Sequence, residues 1–411
     1  MKKKYLYTIL IICLIISTTL ITTIIIPSYA KYINKKEELK KIKTATILVE
    51  LKEDLTTPFL SEVKVSDFIT NINGDILNDY LIDTSKIGEH IINFTYLNEE
   101  NIKVPYTYKI NVQDKTAPVI WVNNTYSVEK GYDGSLLEDI VCADNYDDNP
   151  KCEILGHYNL NKIGEYPLTF KATDNAGNTT IKEFTLKVKE PINNQKSSSS
   201  PKSYTLFSDV IKEYKNEKTK IGIDVSSWQG NIDFQALKNA GVEFAFIRVG
   251  STYGIDGEYF LDKKFIQNIE GFNKVGIPVG LYFYSYAYNQ ESAINDAKWV
   301  LSQIKNYKID LPIAYDWESW SFYNTFHQSF YSTTMNAKSF LDTIKKAGYE
   351  GLLYSSKNYL ENVWYDTGYD IWLAHYTNKT SYTGDYKYWQ MCSNGRVDGI
   401  NGNVDINIMY T

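Results

Sequence analysis

Eight short apolar segments in residues 219–411 constrain the fold of this chain more than any other feature. Apolar runs of this length between loops are typical of buried strands, and amphipathic patterns that predict helices lie between the earlier ones. Strands that alternate with helices form parallel sheets. The eight segments therefore predict an α/β barrel of the (β/α)8 type, irregular in its second half, where the connections are short. The predicted strands are 221–225, 243–249, 277–284, 311–316, 351–355, 370–375, 387–391 and 403–409, and the predicted helices are 233–240, 262–275, 290–305 and 332–347.

The fourth predicted strand ends in two carboxylates. The sequence from Leu311 to Glu318 is LPIAYDWE, with acids at Asp316 and Glu318. Side chains two residues apart in a strand point to the same side, and a rise of roughly 3.3 Å per residue separates their Cα atoms by about 6.6 Å. This spacing is compatible with both arrangements of paired carboxylates in glycosidases. A solvated turn at a strand end gives the same pattern, so the doublet alone does not establish catalysis.

Two more acids are predicted at the same end of the barrel. Asp224 ends the first strand, and Asp405 lies in the eighth. Closure of a barrel brings its first and last strands together, and the active sites of such barrels lie at the carboxyl ends of the strands. Four carboxylates at one mouth shift one another's pKa values, which is costly for structure alone and typical of functional sites. The sequence therefore predicts an acid cluster formed by Asp224, Asp316, Glu318 and Asp405.

Seven motifs in residues 219–411 resemble, in the same order, those of the glycoside hydrolase family 25 lysozymes. They are GIDVSSWQGNIDF at 222–234, FIRVG at 246–250, GIPVGLYFYSYA at 276–287, LPIAYDWE at 311–318, DIWLAHY at 370–376, YWQM at 388–391 and GINGNVDIN at 399–407. The combination of DxSxxQG, DxE and a terminal VDxN makes the resemblance specific. It implies an N-acetylmuramidase, which hydrolyses the β-1,4 bond between N-acetylmuramic acid and N-acetylglucosamine in peptidoglycan. It implies neither a cofactor nor a metal.

The resemblance also implies roles for the four acids. Glu318 corresponds to the general acid/base, with a pKa raised by burial and by Asp316. Asp316 corresponds to the second key acid, which either stabilises the oxocarbenium-like transition state or orients the 2-acetamido group of the substrate as an internal nucleophile. Asp224 and Asp405 correspond to supporting acids at the rim.

Aromatic residues near the predicted mouth are candidates for substrate contact. Ring faces cover the apolar faces of sugars, and aromatics make up 15% of the chain, with 35 Tyr and 8 Trp. For each ring taken singly, packing in the core is an equal alternative. The candidates are Tyr282, Tyr284, Trp372, Tyr376 and Trp389.

Residues 44–190 contain an internal repeat. The sequence KIGE occurs at 86–89 and again at 162–165, and each copy continues as two alternating runs around a polar turn. Short alternating strands predict two small antiparallel sandwiches, module 1 at 44–114 and module 2 at 115–190. The DKTAPVI junction and the ATDNAGN turn of module 2 resemble bacterial immunoglobulin-like modules. We expect the modules to be either spacers or domains that bind the wall or another protein.

Module 2 contains two cysteines that flank an acidic loop. If this module lies outside the cell, we expect Cys142 and Cys152 to form a disulfide that closes a loop of roughly ten residues. The alternative is two unpaired thiols. Within this loop Asp144, Asp147 and Asp148 either hold Ca²⁺, which prefers carboxylate oxygens, or form a solvated turn.

The first 30 residues predict a segment that meets a membrane. Three lysines precede an uncharged run of 22 residues, Tyr5–Ile26, which as a helix spans roughly 33 Å, enough to cross a bilayer core. The lysines favour a cytoplasmic N-terminus and hence a single-pass membrane protein with an extracellular C-terminal part. The alternative is a signal peptide cleaved near Ala30, which gives a secreted protein. Residues 31–43 are predicted to be a spacer, and 191–218 a linker.

The net charge of the chain bears on which classes of molecule it binds. A formal net charge of −6 and an isoelectric point of about 5.5 argue against nucleic-acid binding. The expected partners are peptidoglycan glycan strands, together with a membrane at the N-terminal helix. Two other functions stay open from the sequence: a wall-binding or adhesion protein with a degenerate barrel, and a hydrolase of another N-acetylhexosamine polymer such as chitin.

Overall fold

The computed structural model describes Thr23 and residues 26–191, 204–318 and 327–411. The chain divides into two compact units, with the boundary after Lys115. The first unit contains module 1. The second contains module 2 together with the barrel.

The first unit is built on a long β hairpin. Its elements are α1 (Ile26–Thr44), β1 (Val49–Leu51), β2 (Thr56–Pro58), β3 (Ile69–Ile72), β4 (Gly74–Ile76), β5 (Gly88–Asn98) and β6 (Lys103–Gln113). Strands β5 and β6 form the hairpin, and alternate residues of β5 enter the core, where Ile92, Phe94 and Tyr96 are buried. The main sheet has the order β2-β6-β5-β4, and β1 pairs with β3.

The helix next to the predicted membrane segment is polar. Helix α1 carries six Lys and two Glu in 19 residues and has no buried residue. Each charge at the centre of a bilayer costs several kcal/mol, about 2.5–3.5 on insertion scales. Within the residues described here, no helix is long and apolar enough to cross a membrane. This finding contradicts the predicted anchor and single-pass localisation; apart from Thr23 and Ile26, the predicted span lies outside the described residues.

The second unit begins with module 2. Its elements are β7 (Val119–Trp121), β8 (Thr125–Glu129), α2 (Leu136–Asp139), β9 (Val141–Ala143), β10 (Lys151–Leu155), β11 (Gly164–Thr173) and β12 (Thr179–Lys189). Strands β11 and β12 form a hairpin whose turn holds Gly177 at φ 90°, a conformation that glycine adopts without strain. The main sheet has the order β10-β11-β12-β8, and β7 pairs with β9.

The prediction of antiparallel immunoglobulin-like sandwiches is wrong for both modules. Each module has a four-stranded and a two-stranded sheet, and in each the hairpin pairs in parallel with an early strand, β6 with β2 and β12 with β8. An antiparallel layout requires neighbouring strands to reverse direction. Here the early strand of each module runs in the same direction as its last strand.

The barrel contains the remaining elements. These are β13 (Thr205–Leu206), α3 (Phe207–Tyr214), β14 (Thr219–Val225), α4 (Phe234–Asn239), β15 (Ala245–Thr252), β16 (Tyr259–Leu261), α5 (Phe265–Val275), β17 (Val279–Tyr284), α6 (Gln290–Ile304), β18 (Ile313–Asp316), α7 (Phe330–Lys346), β19 (Gly351–Ser356), α8 (Lys357–Asn362), β20 (Asp370–Ala374), β21 (Tyr388–Arg396) and β22 (Val404–Tyr410). Strands β14, β15 and β17 to β22 close on themselves, because β22 pairs with both β21 and β14. Residues 204–214, predicted as linker, supply β13, which pairs with β21.

The prediction of a (β/α)8-like barrel is wrong in the second half of the domain. In the part of the chain that the structure describes, helices separate successive barrel strands only as far as β20. Strand β22 runs antiparallel to both of its neighbours. A parallel crossover takes about a dozen residues or more, whereas residues 397–403 alone connect β21 to β22, so the chain must reverse. The other seven strands are parallel to one another.

Aromatic rings fill the interior of the barrel. Phe246 on β15 stacks on Trp372 of β20 with ring centroids 4.3 Å apart, and Tyr388 meets Phe246 edge to face. Gly280 of β17 makes room for them, because a Cβ there would lie 2.4 Å from the Phe246 ring. Strand alternation places the next inward-facing residues two positions further along each strand, where polar side chains form the floor of the mouth.

Candidate active site

Asp316 and Glu318 form the centre of the site. Asp316 ends β18 and is 4% exposed, and Glu318 lies two residues further on. Their carboxyl groups share a hydrogen bond, which requires one proton between them. Burial raises the pKa of Asp316 well above its usual range, the charge of Glu318 raises it further, and Arg248 opposes the shift. Burial also raises the pKa of Glu318, although the hydrogen bond with Asp316 lowers it. The proton therefore rests on Asp316, which donates to Glu318.

Glu318 is the member of this pair that faces solvent. It lines a cavity of about 490 Å³, and Asp316 is not among the lining residues. The cavity walls desolvate the Glu318 carboxyl even though one side of it is exposed. The Tyr359 hydroxyl donates a hydrogen bond to the backbone carbonyl of Glu318 at 2.7 Å and so holds the residue in place. The other lining residues are Trp317, Tyr354, Ser356, Lys357, Asn358, Tyr359, Glu361, Ala374, His375 and Tyr376.

Asp224 and Asp405 form a second carboxyl pair at the same mouth. They face each other in the register between β14 and β22 and share a hydrogen bond. Burial raises the pKa of Asp405 to about 9, helped by the charge of Asp224 and by the shared hydrogen bond. Burial also raises the pKa of Asp224, but hydrogen bonds from Asn407, Gln390 and Asp405 oppose the shift. The proton of this pair therefore belongs to Asp405, and Asp224 carries the negative charge.

Two amide side chains that are absent from the predicted cluster hold Asp224. Nε2 of Gln390 and Nδ2 of Asn407 donate to its Oδ2 at 2.9 and 2.8 Å. Each amide is oriented in turn, because the Tyr354 hydroxyl donates to the Gln390 oxygen and Trp372 Nε1 donates to the Asn407 oxygen. Both amides are buried in strands and lie in the motifs YWQM and VDIN. An amide among apolar strand residues is the signal in the sequence that points to them.

Arg248 places a positive charge beside the acids and is also absent from the predicted set. Its guanidinium pairs with Asp262 at 2.6 Å and donates to Oγ of Ser227 at 3.1 Å. Its charge lowers the pKa of Asp316, against the effect of burial. Since Ser227 follows the strand that carries Asp224, the arginine also ties this loop to the neighbouring strand.

The predicted aromatic contacts separate into buried and accessible rings. Trp372 and Trp389 are buried. Trp372 belongs to the stacked interior of the barrel, and Nε1 of Trp389 donates to the backbone carbonyl of His375. Tyr376 is 57% exposed, lines the cavity and donates to the oxygen of Gln390 at 3.0 Å.

Tyr282 and Tyr284 are half-buried on β17, close to the acids. Burial raises the pKa of both hydroxyl groups, and negative charge raises each further, from Asp224 at Tyr282 and from Glu318 at Tyr284. The structure therefore brings Tyr282, Tyr284 and Tyr376 to the acid cluster and uses both predicted tryptophans in the framework.

The remaining predicted residues lie in module 2. Cys142 and Cys152 are joined by a disulfide bond. The three acids of the loop between them, Asp144, Asp147 and Asp148, accept hydrogen bonds from backbone N–H groups.

The part of the chain that holds most of the site is similar to a known family. Residues 223–400 match the family model described as Glycosyl hydrolases family 25. The matched segment contains Asp224, Asp316 and Glu318, whereas Asp405 lies just beyond its end. This part of the chain is therefore similar to the family 25 glycoside hydrolases.

Named relatives are similar to about half of the chain. The chain is 28% identical over 188 residues to the autolytic lysozyme of Clostridium acetobutylicum, a match that covers 45% of this chain and 54% of the relative. It is 26% identical over 204 residues to lysozyme M1 of Streptomyces globisporus, covering 45% and 66%. The solved structure of the modular autolysin LytC from Streptococcus pneumoniae is 27% identical and covers 59% of this chain and 56% of that one, with a TM-score of 0.43. The chain thus spans about half the length of the Clostridium relative.

Proposed function

We propose that the barrel is the catalytic domain of a lysozyme that cleaves the β-1,4 bond between N-acetylmuramic acid and N-acetylglucosamine in peptidoglycan. The observation that carries the proposal is the carboxyl pair at the end of β18, with buried Asp316 two residues before cavity-lining Glu318. The family 25 match and the lysozymes among the relatives support the substrate class. The cavity of about 490 Å³ lies in the size range of small-molecule sites.

In this proposal Glu318 protonates the leaving sugar. In the free enzyme the shared proton rests on Asp316, and the existing hydrogen bond provides a short path for its transfer to Glu318. As the bond between C1 and the glycosidic oxygen breaks, the oxygen keeps the electron pair and takes the proton from Glu318. Positive charge then develops at C1 beside two carboxylates.

The burial of Asp316 favours the 2-acetamido group of the substrate as the internal nucleophile. Asp316 is 4% exposed and does not line the cavity, so its carboxylate has poor access to C1. From behind Glu318, it is able to stabilise the positive charge that develops on the acetamido group. A water molecule deprotonated by Glu318 then attacks C1, which completes the hydrolysis and restores the acid.

The negative charge of Asp224 also suits this reaction. Asp224 keeps its negative charge because two amides donate to it, and that charge stabilises an oxocarbenium-like transition state. Tyr376 is the accessible ring most suited to contact a sugar. The substrate class and the disulfide in module 2 both fit action outside the cytoplasm.

The variant Glu318→Gln tests the proposal because it removes the acid and preserves the shape of the side chain. We expect the release of reducing ends from purified peptidoglycan to fall about 10²-fold to 10⁴-fold, the usual contribution of a general acid. Thermal unfolding should stay within a few degrees of the wild type, roughly the effect of 1 kcal/mol.

Glu361→Gln is the matched control for this experiment. Glu361 lines the same cavity but is paired with Lys357 at 2.6 Å, and we expect nearly wild-type activity. Muramic acid at the new reducing ends identifies a muramidase, and a parallel digest of chitin tests the other substrate. Full activity of Glu318→Gln, or glucosamine at the reducing ends, contradicts the proposal.

A further inference from the structure

Module 2 packs directly on the barrel. Val141 and Ala143 of β9 belong to the same hydrophobic core as the barrel strands and helices. The ring of Trp121, at the end of β7, lies 5.7 Å from the ring of Phe330, the first residue of α7. Module 2 has a core of its own, which includes Phe170 and Leu186, but its β9 residues also join the core of the barrel. An independent spacer domain would have a polar surface there, so the shared core points to a further role.

Polar contacts concentrate on the N-terminus of α7. The backbone N–H groups of Phe330 and Tyr331 donate to the carbonyls of Asp144 and Asn145 at 2.9 and 3.1 Å. One carboxylate oxygen of Asp148 accepts from the backbone N–H of Ser329 at 2.7 Å and from Oγ of Ser332 at 2.6 Å. The first N–H groups of a helix have no partner within the helix, and a negative charge is favourable at this end. The acidic loop of module 2 therefore caps α7 from outside the barrel domain.

The loop that makes these contacts is internally fixed. The Cys142–Cys152 disulfide closes it. Oδ2 of Asp144 accepts from the backbone N–H of Tyr146 and of Asp147. Asp147 in turn accepts from Asn149 and from Asn175 of the β11–β12 turn. The capping groups are thus held in place by contacts within module 2.

Helix α7 follows the strand that bears the acids. Only residues 319–326 separate Glu318 from His327, where the described chain resumes. His327 has φ 51°, a left-handed conformation that a residue with a Cβ keeps only when its surroundings impose it. Next to it, Gln328 is buried and accepts from Nδ2 of Asn336 at 2.7 Å. His327 is therefore strained, and Gln328 is held in place directly before the cap.

Helix α7 also contacts β18, the strand that ends in Asp316. Phe340 of α7 lies 5.2 Å, ring to ring, from Tyr315, the residue before Asp316. A shift of α7 therefore reaches the acids through Tyr315. Positioning errors of about 1 Å in an active site can cost a hundredfold in rate.

We propose that module 2 is a positioning element of the active site and that Asp148 is its main contact. Through the cap on α7 it sets where Asp316 and Glu318 stand relative to the cavity. Asp148 is a positioning residue, since it acts through the helix and touches no reacting atom. The inference rests on the proposed lysozyme function for its kinetic consequence and on the contacts alone for its structural one.

The experiment compares Asp148→Ala, Asp148→Asn and Glu165→Ala in the full chain. We expect Asp148→Ala to lower kcat on peptidoglycan about tenfold to a hundredfold, with KM nearly unchanged. Asp148→Asn keeps an acceptor oxygen and should recover most of this loss. Glu165 belongs to an exposed ion pair with Lys187 in the same module, and its variant should behave as wild type.

Hydrogen–deuterium exchange provides a readout that does not need activity. In Asp148→Ala, we expect faster exchange in peptides covering 327–335 and also 313–318, with module 2 and the other barrel strands unchanged. If wild type cleaves no glycan, the proposed function fails while the exchange result still decides the positioning role. Wild-type kcat in Asp148→Ala, or exchange that changes only at 327–335, overturns the inference.

A second variant covers the case in which Asp148→Ala does not fold. Replacing Cys142 and Cys152 together by serine opens the capping loop while leaving Asp148 in place. We expect the same direction of change in kcat and in exchange at 313–318, smaller than for Asp148→Ala. A double variant with wild-type kcat and wild-type exchange would contradict the role of the fixed loop.

Discussion

The two carboxyl pairs at the mouth of the barrel contain the same groups but are held in different ways. Asp316 and Glu318 follow each other on one segment, and Glu318 opens to the cavity. Asp224 and Asp405 face each other on paired strands, and two amides anchor the charged member. In the proposed mechanism the first pair supplies a proton to the substrate, whereas the second keeps a negative charge on Asp224. The difference arises from the hydrogen-bond donors around each pair, since the titratable groups are alike.

Asp316→Asn is expected to give the largest change that separates the two pairs. The new amide still donates to Glu318, which keeps lowering the pKa of that carboxyl, but it has no proton to transfer to it. We expect kcat at neutral pH to fall about hundredfold and to recover in part at lower pH. A pH profile of kcat measures both effects. If activity at neutral pH is unchanged, the two groups do not share the catalytic proton.

Asp224→Asn is expected to have a smaller effect. The charge of Asp224 raises the pKa of Glu318, so its removal lowers that pKa. As the pH rises, Glu318 of the variant therefore loses its proton at a lower pH than in the wild type, and activity that needs this proton is lost there. We expect this limb of the pH profile to move by about one pKa unit, with a tenfold loss where the two profiles differ most. A move of the limb to higher pH would contradict the assigned charge of Asp224.

Asp405→Asn is expected to change activity least and the pH dependence of stability most visibly. The pKa of Asp405 is about 9 in the folded protein and about 3.9 in an unfolded chain. Between these values the folded state binds the extra proton, so wild-type stability falls as pH rises from about 4 to about 9. Asparagine mimics the protonated carboxyl and removes this contribution. The Tm of the variant relative to wild type should therefore rise across this range, and a constant difference would exclude a protonated Asp405.

Much of the barrel is predictable because its signals are local. Each of the eight predicted strands overlaps an observed one, since short apolar runs between loops depend on neighbouring residues alone. The direction of β22 depends on how few residues connect it to β21, and the parallel pairs in the modules depend on where each module begins. The strand directions in β22 and in the modules thus depend on how the chain connects its strands in three dimensions. The prediction of a membrane segment rests on an apolar run, whereas the residues that follow this run form the polar helix α1.

Sequence patterns predict the acids of the cluster better than they predict the groups that surround them. Motifs and strand alternation suffice to name Asp316 and Glu318 on one face. Gln390, Asn407 and Arg248 also lie in these motifs, but their importance depends on groups of other strands that they contact. A single sequence contains no sign of which amide meets which carboxylate.

The sequence by itself determined which acids stand at the mouth, because the period of a strand places alternate side chains on one face. Only the tertiary structure decided which acid of each pair holds the proton, since burial and neighbouring charges set the pKa values. It also decided that Asp148 accepts from the backbone N–H of Ser329, 181 residues later and directly before α7. Such contacts form between surfaces that are adjacent only after folding. The acids are therefore a property of the sequence, and their protonation and placement are properties of the fold.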